Sequence, residues 1–111
     1  MREVDIQTRI RNALGKCEDL ALWRNNTGEL LDSRGRPVTF GLAVGSADLI
    51  GILAPAGRFV AIEIKQPRQK AKPHQDQWLA VVRSLGGFAA VVTSEEEALR
   101  AIERARQGES Q

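Results

Sequence analysis

The sequence predicts an α/β fold, in which helices are interleaved with strands. Three observations carry this. The chain opens on an amphipathic helical repeat. Two apolar runs then flank a Pro/Gly turn, and a later helix is followed directly by a strand and a final helix.

Taken in order, residues 3–15 read as a helix, with Ile6, Ile10, Ala13 and Leu14 at helical spacing and Gly15 as a stop. Leu20–Arg24 is a short apolar strand. Asn25–Arg36, rich in Asn, Gly, Asp and Ser, is expected to be a turn or mobile loop. Val38–Phe40 adds a short strand before the glycine-bearing stretch Gly41–Gly45. Ala47–Leu53 and Arg58–Ile64, joined at Pro55-Ala-Gly57, read as a β-hairpin. Residues 66–73 form a basic loop bracketed by Pro67 and Pro73. His74–Leu85 is a helix stopped by Gly86-Gly87, and Phe88–Thr93 is a buried strand. Ser94 caps a last helix to about Ala105, with Glu97 completing a capping box. The expectation is one domain over residues 1–106, followed by a frayed tail over 107–111.

Composition narrows the chemistry. A chain of 111 residues suits one domain that buries about two thirds of its unfolded-chain surface. No apolar run approaches the roughly 20 residues of a membrane helix, and no signal-like stretch opens the chain, so a cytoplasmic setting is expected, in a bacterial or phage-infected cell. The single Cys17 excludes an intrachain disulfide and a thiolate zinc cluster. The single His74 excludes multi-histidine metal chemistry, and the lack of Tyr removes tyrosine nucleophiles. An enzyme built from this chain must work with carboxylates, Lys, Arg, Ser/Thr or amides. The net charge of +2 conceals segregation, because residues 58–74 carry +4 while residues 94–111 carry −2. Arg outnumbers Lys twelve to four, which favours bidentate contact with phosphate.

Polar residues also occur where an apolar face should run. Along Phe59–Lys65, alternation sends Val60, Ile62 and Ile64 one way and Phe59, Ala61, Glu63 and Lys65 the other. A carboxylate and an ammonium ending such a strand are costly to half-bury. If the hairpin pairs as expected, Asp48 can approach Glu63. Two carboxylates that close raise a pKa unless a cation lies between them, and hard oxygen ligands suit Mg²⁺ or Mn²⁺. A strand-end ion pair, with Asp48 merely ending a turn, is the other reading of the same residues. Helical geometry places Glu3 and Gln7 on the buried face of the first helix. It places Gln75 beside Trp78, Leu79 and Val82 on the later one, as though both helices supply a common polar site. Trp23 and Trp78 read as core or interface residues, and Cys17 as a small hydrophobe.

Asp48 followed by Glu63-Ile64-Lys65 resembles the Asp…Glu-x-Lys signature of the PD-(D/E)XK nuclease superfamily. More narrowly, the chain resembles the VRR-NUC family of virus-type replication and repair nucleases over about residues 3–93. The matching stretches are Glu3 with Gln7, Leu22-Trp-Arg-Asn-Asn-Thr-Gly28, Phe40-Gly41, Gly45-Ser-Ala-Asp-Leu-Ile-Gly51, Ile62-Glu-Ile-Lys65 and Gln75-Asp-Gln-Trp78. One departure is Ala47, where the superfamily carries Pro before the Asp.

The resemblance implies a restriction-endonuclease-like core, a mixed β-sheet flanked by helices in the order αβββαβ. It implies that Asp48 and Glu63 bind a divalent metal, Mg²⁺ or Mn²⁺, with Glu3 as a further carboxylate and Ile64 giving its main-chain carbonyl. Lys65 would orient or activate the attacking water and stabilise charge on the phosphate, and Gln75 would support the site. Hydrolysis of a phosphodiester by metal and carboxylates needs no His or Cys, which agrees with the composition. The neighbouring Arg68, Lys70, Lys72 and His74 would contact flanking phosphates. Arg24, Arg34 and Arg36 would form a second rim, with Asn25 and Asn26 hydrogen-bonding sugar or phosphate. The resulting expectation is a homodimeric, structure-selective DNA endonuclease of the Holliday-junction resolvase kind, since a four-way junction presents symmetry-related strands to a two-fold pair. A general nicking or phage-packaging endonuclease, or a non-catalytic DNA-binding module of the same fold, are the alternatives.

Overall fold

The computed structural model describes residues 2–111. Helix α1 (Glu3–Leu14) buries Ile6, Ile10 and Leu14 along one stripe and closes at Gly15, as the spacing predicts. Strands β1 (Leu20–Arg24), β2 (Gly28–Leu31), β3 (Pro37–Phe40), β4 (Leu49–Leu53) and β5 (Arg58–Ile64) follow. Helix α2 (Pro73–Ser84), strand β6 (Phe88–Val92) and helix α3 (Glu95–Arg106) complete the chain.

Four strands form the main sheet in the order β1-β4-β5-β6. The first three are antiparallel neighbours, while β6 runs parallel to β5. A parallel pair cannot be closed by a tight turn and needs a crossover of a dozen or more residues, which α2 provides. The sheet is therefore mixed. Its strands with α1 and α2 follow the expected order αβββαβ, with β2–β3 inserted as a separate two-stranded ribbon and α3 added at the end.

That ribbon corrects the expectation of a loop over residues 25–36. Gly28–Leu31 pairs antiparallel with Pro37–Phe40, Leu30 lying opposite Val38. Residues 25–27 at its root and residues 32–36 at its tip remain irregular. At the tip Asp32 Oδ1 accepts from the backbone N–H groups of Arg34 and Arg36 at 2.8 and 2.9 Å, and Gly35 takes a positive φ of 77°. All eight strand residues of the ribbon are exposed.

One face of the main sheet carries the principal core. Leu20, Leu49, Val60, Ile62, Ile64, Phe88 and Val92 meet Ile6, Ile10 and Leu14 of α1 and the alanine-rich stripe of α3. Ala61 and Ala89 on the other face pack with Leu79, Trp78 and Val82 of α2, and Trp78 meets Phe59 edge-on at 6.4 Å. The alternation expected for β5 is thus observed. Beyond α2 this second face lies open, and Trp23 and Ile52 are about half exposed.

Ser94 caps α3 by accepting from Glu97 N. The Glu97 carboxylate does not close a capping box on Ser94, but reaches one residue further to the backbone N–H and hydroxyl of Thr93. The C-terminal residues, expected to fray, turn back instead. Ala89 N donates to Ser110 O at 3.0 Å and Arg104 Nε to Gln111 O at 3.1 Å, which covers part of the outer edge of β6.

Candidate active site

The β4–β5 ladder ends at the pair Leu49↔Ile62, so Asp48 and Glu63 lie one step beyond it, opposite each other. At this step Asp48 Oδ2 accepts a hydrogen bond from Ile64 N at 2.7 Å, and the Asp48 carboxylate acts on the Glu63 carboxyl beside it. Lys65 Nζ sits 3.3 Å from Glu63 Oε2. Glu63 is 2% exposed and Lys65 5%, although both are charged side chains. Burial first, and the adjacent Asp48 carboxylate second, push the Glu63 carboxyl from 4.5 up to about 7 against the opposing pull of Lys65. Such a pair fits a hard divalent cation, which would relieve the repulsion that raises this pKa. The Ile64 carbonyl emerges on the same strand edge as its N–H and adds a neutral oxygen there.

The other expected site residues are distributed differently. Glu3 is half-buried in the first turn of α1. Among the described residues no three His, Cys, Asp or Glu side chains gather to hold a metal, so Glu3 does not join Asp48 and Glu63 as a third carboxylate. Gln75, expected to support the site, caps α2 instead, its Oε1 accepting from Lys72 N at 2.8 Å. Arg68, Lys70 and Lys72 are exposed on the segment between β5 and α2, and His74 is exposed in the first turn of α2. Arg68 takes a positive φ of 71°. Arg24, Asn26 and Arg34 are exposed as well, whereas Arg36 is paired with Asp32 at 2.9 Å.

Asn25 was expected to face sugar or phosphate, but its side chain turns inward. Its Nδ2 donates to Ser46 Oγ at 2.7 Å and to Ala47 O at 2.8 Å, while its backbone N donates to Asp48 O at 2.8 Å. Ser46 is buried. Gly45, at φ 90°, lets this loop lie against His74, whose backbone and ring occupy the space a Cβ would need. Ser46 is the residue that sequence reasoning missed. Its signals were its place in the family-like stretch Gly45–Gly51 and its small polar side chain between a glycine and Ala47-Asp48. A groove of about 500 Å³ lies at the far end of the sheet, and its Arg58 guanidinium is committed to the carbonyls of Gly86, Gly87 and Ala105.

Comparison with known proteins agrees with this fold. The VRR-NUC domain model matches residues 2–96. A solved structure described as "VRR_NUC domain" superposes with a TM-score of 0.62 at 24% identity, covering 91% of this chain and 94% of that chain, which is a likeness of fold. No curated protein matches. The VRR-NUC domain is a nuclease-type, DNA-processing domain. With its family model matched from α1 to the start of α3, the chain belongs to the VRR-NUC family.

Proposed function

We propose that the protein is a divalent-metal-dependent endonuclease that hydrolyses phosphodiester bonds in branched DNA, preferring four-way junctions and acting as a homodimer. The observation that carries the hydrolytic reading is the buried Asp48–Glu63 pair with Lys65 beside it, at the end of an otherwise apolar strand. Asp48 and Glu63, with the Ile64 carbonyl, would hold Mg²⁺ or Mn²⁺. When bound, the cation supplies charge compensation for the phosphate and acidifies a water molecule. Lys65, held by Glu63, orients the attacking water and meets the negative charge that develops on the phosphate. The exposed Arg68, Lys70 and Lys72 follow within a few residues and present cations to flanking phosphates.

Support for a second copy of the chain comes from the β2–β3 ribbon. An isolated two-stranded hairpin is marginal in water, and this one exposes Leu30, Leu31, Val38 and Phe40. Its residues Glu29, Asp32, Arg34 and Arg36 sum to no net charge, so it favours an apolar protein surface over a phosphate backbone. The open half of the sheet, with Trp23 and Ile52, is such a surface. Paired across a two-fold axis, two ribbons and two sheets would bury each other.

Labelled junction, flap and linear duplex should be compared in Mg²⁺, Mn²⁺ and EDTA, with Asp48→Ala, Glu63→Gln and Lys65→Ala as controls. Metal-dependent cleavage of the junction alone, lost in all three variants, is the expected result. Equal cleavage of linear duplex refutes the junction preference, and activity in correctly folded variants refutes the site. Sedimentation of wild type beside Leu30→Asp tests the pair. The expected result is a dimer that becomes a folded monomer, and a monomeric wild type rejects it.

A further inference from the structure

We infer that Asn25 is a positioning residue that sets the Asp48 carboxylate for the active site, and that it does so without touching DNA. The argument starts from how the chain enters β4. Residues 41–47 cross from the ribbon to the sheet as irregular backbone, and Asp48 is the last residue before the ladder begins. Ladder bonds therefore hold Leu49 onward but leave the carboxylate's own approach undetermined. Asn25 supplies what is missing. Its amide nitrogen binds Ser46 Oγ and Ala47 O, and its backbone N–H binds Asp48 O, so three consecutive residues are anchored to one. The loop cannot move outward without breaking these bonds together, nor inward, because Gly45 already lies against His74.

The same residue stands at the root of the ribbon. Asn26 follows it directly, and a Cβ on Gly41 would run into the Asn26 carbonyl oxygen, so the two ends of the ribbon close on each other there. Asn25 thus stands where the ribbon joins the main sheet. Asparagine suits the task because its carboxamide donates two hydrogen bonds from one nitrogen. Aspartate, almost the same in shape, has no donor and would set a negative charge against the Ala47 carbonyl.

The kinetic part of the test rests on the nuclease reading, but the structural part does not. Asn25→Asp and Ser46→Ala should be made in the full chain. In metal-free protein, amide exchange at Ile64 reports directly on the bond from Ile64 N to Asp48 Oδ2. Asn25→Asp is expected to speed exchange at Ile64 by about ten-fold while leaving Val60 and Ile62 protected. Ser46→Ala, which removes one acceptor, should give a smaller change in the same direction, and it decides the matter if Asn25→Asp does not fold. On junction DNA with Mg²⁺, the single-turnover rate should fall by about 10- to 100-fold with DNA affinity unchanged, the size expected when a reacting group is displaced by about an ångström. Unaltered Ile64 exchange in both variants overturns the inference. So does weakened DNA binding at an unaltered rate, which would make Asn25 a DNA contact. If the wild type cuts no DNA, the nuclease reading falls and Ile64 exchange still decides the role of Asn25.

Discussion

Replacing Glu63 by Gln tests the electrostatics of the site without any substrate. Glu63 is buried beside Asp48, and its carboxyl is raised from 4.5 to about 7. The native protein therefore holds this proton more tightly than the unfolded chain does, and the sign follows. Below about pH 4.5 the group is protonated in both states and costs nothing. Between there and about pH 7 the unfolded chain ionises first and the native state loses stability. Above about pH 7 the full cost is present, about 3 kcal/mol for a displacement of this size. Glutamine cannot ionise and removes the cost. It also leaves Lys65 without its partner at 3.3 Å. Urea denaturation in EDTA, followed by the fluorescence of Trp23 and Trp78, measures the effect. Between about pH 5 and about pH 8 the wild type should lose about 2–3 kcal/mol more stability than Glu63→Gln. Adding Mg²⁺ near pH 8 should restore much of the wild-type loss and little in the variant. Parallel pH curves for the two proteins would refute the reasoning.

Other outcomes follow from the same structure. Lys65→Ala should lower the single-turnover cleavage rate by at least about 100-fold while leaving the affinity for junction DNA close to wild type, as measured by gel shift. Changing Arg68, Lys70 and Lys72 together to Ala should weaken DNA binding and flatten the slope of log K against log salt by about 3, with the rate at saturating DNA unchanged. Phe88→Ala removes a fully buried ring from the principal core and should cost about 3–5 kcal/mol in urea denaturation.

What the sequence made legible was whatever depends on local pattern. The stripe of Ile6, Ile10 and Leu14, the alternation along β5 and the Ser94 cap all follow from side-chain periodicity or end chemistry, and the structure has them where they were expected. The Asp48–Glu63 approach was also legible, because a hairpin across Pro55-Ala-Gly57 has little freedom in its register. What escaped was whatever depends on where an irregular segment travels. Gly28–Leu31 looked like loop because its flanks, Asn25-Asn26-Thr27 and Asp32-Ser33, are turn-formers, and the short apolar pair Leu30-Leu31 between them could not reveal its partner. Gln75 does lie on the inward stripe of α2. As the third residue of that helix, however, it is also placed to accept from Lys72 N, and the local bond is the one it makes. Asn25 was read as surface because the loop that buries it comes from some 20 residues further along the chain.

Asp48 itself shows how a side chain can finish the end of a ladder. Ile64 N lies on the edge of β5 that faces β4, but β4 begins only at Leu49, so no backbone carbonyl of that strand reaches it. The carboxylate of Asp48 takes the place of that carbonyl at 2.7 Å. Its oxygen therefore has a structural task separate from its charge, and substitution can divide the two. Asp48→Asn keeps an oxygen acceptor for Ile64 N and removes the charge that repels Glu63. Asp48→Ala removes both and leaves a part-buried N–H unpaired. Both variants should fail to cleave DNA. In EDTA near pH 8, Asp48→Asn should be the more stable of the two by about 1–2 kcal/mol, the usual cost of a donor left without its acceptor. Chemical denaturation of the two metal-free variants side by side measures the difference. Equal stability would mean that Ile64 N finds another acceptor as readily, and that the Asp48 carboxylate is not the end of the ladder.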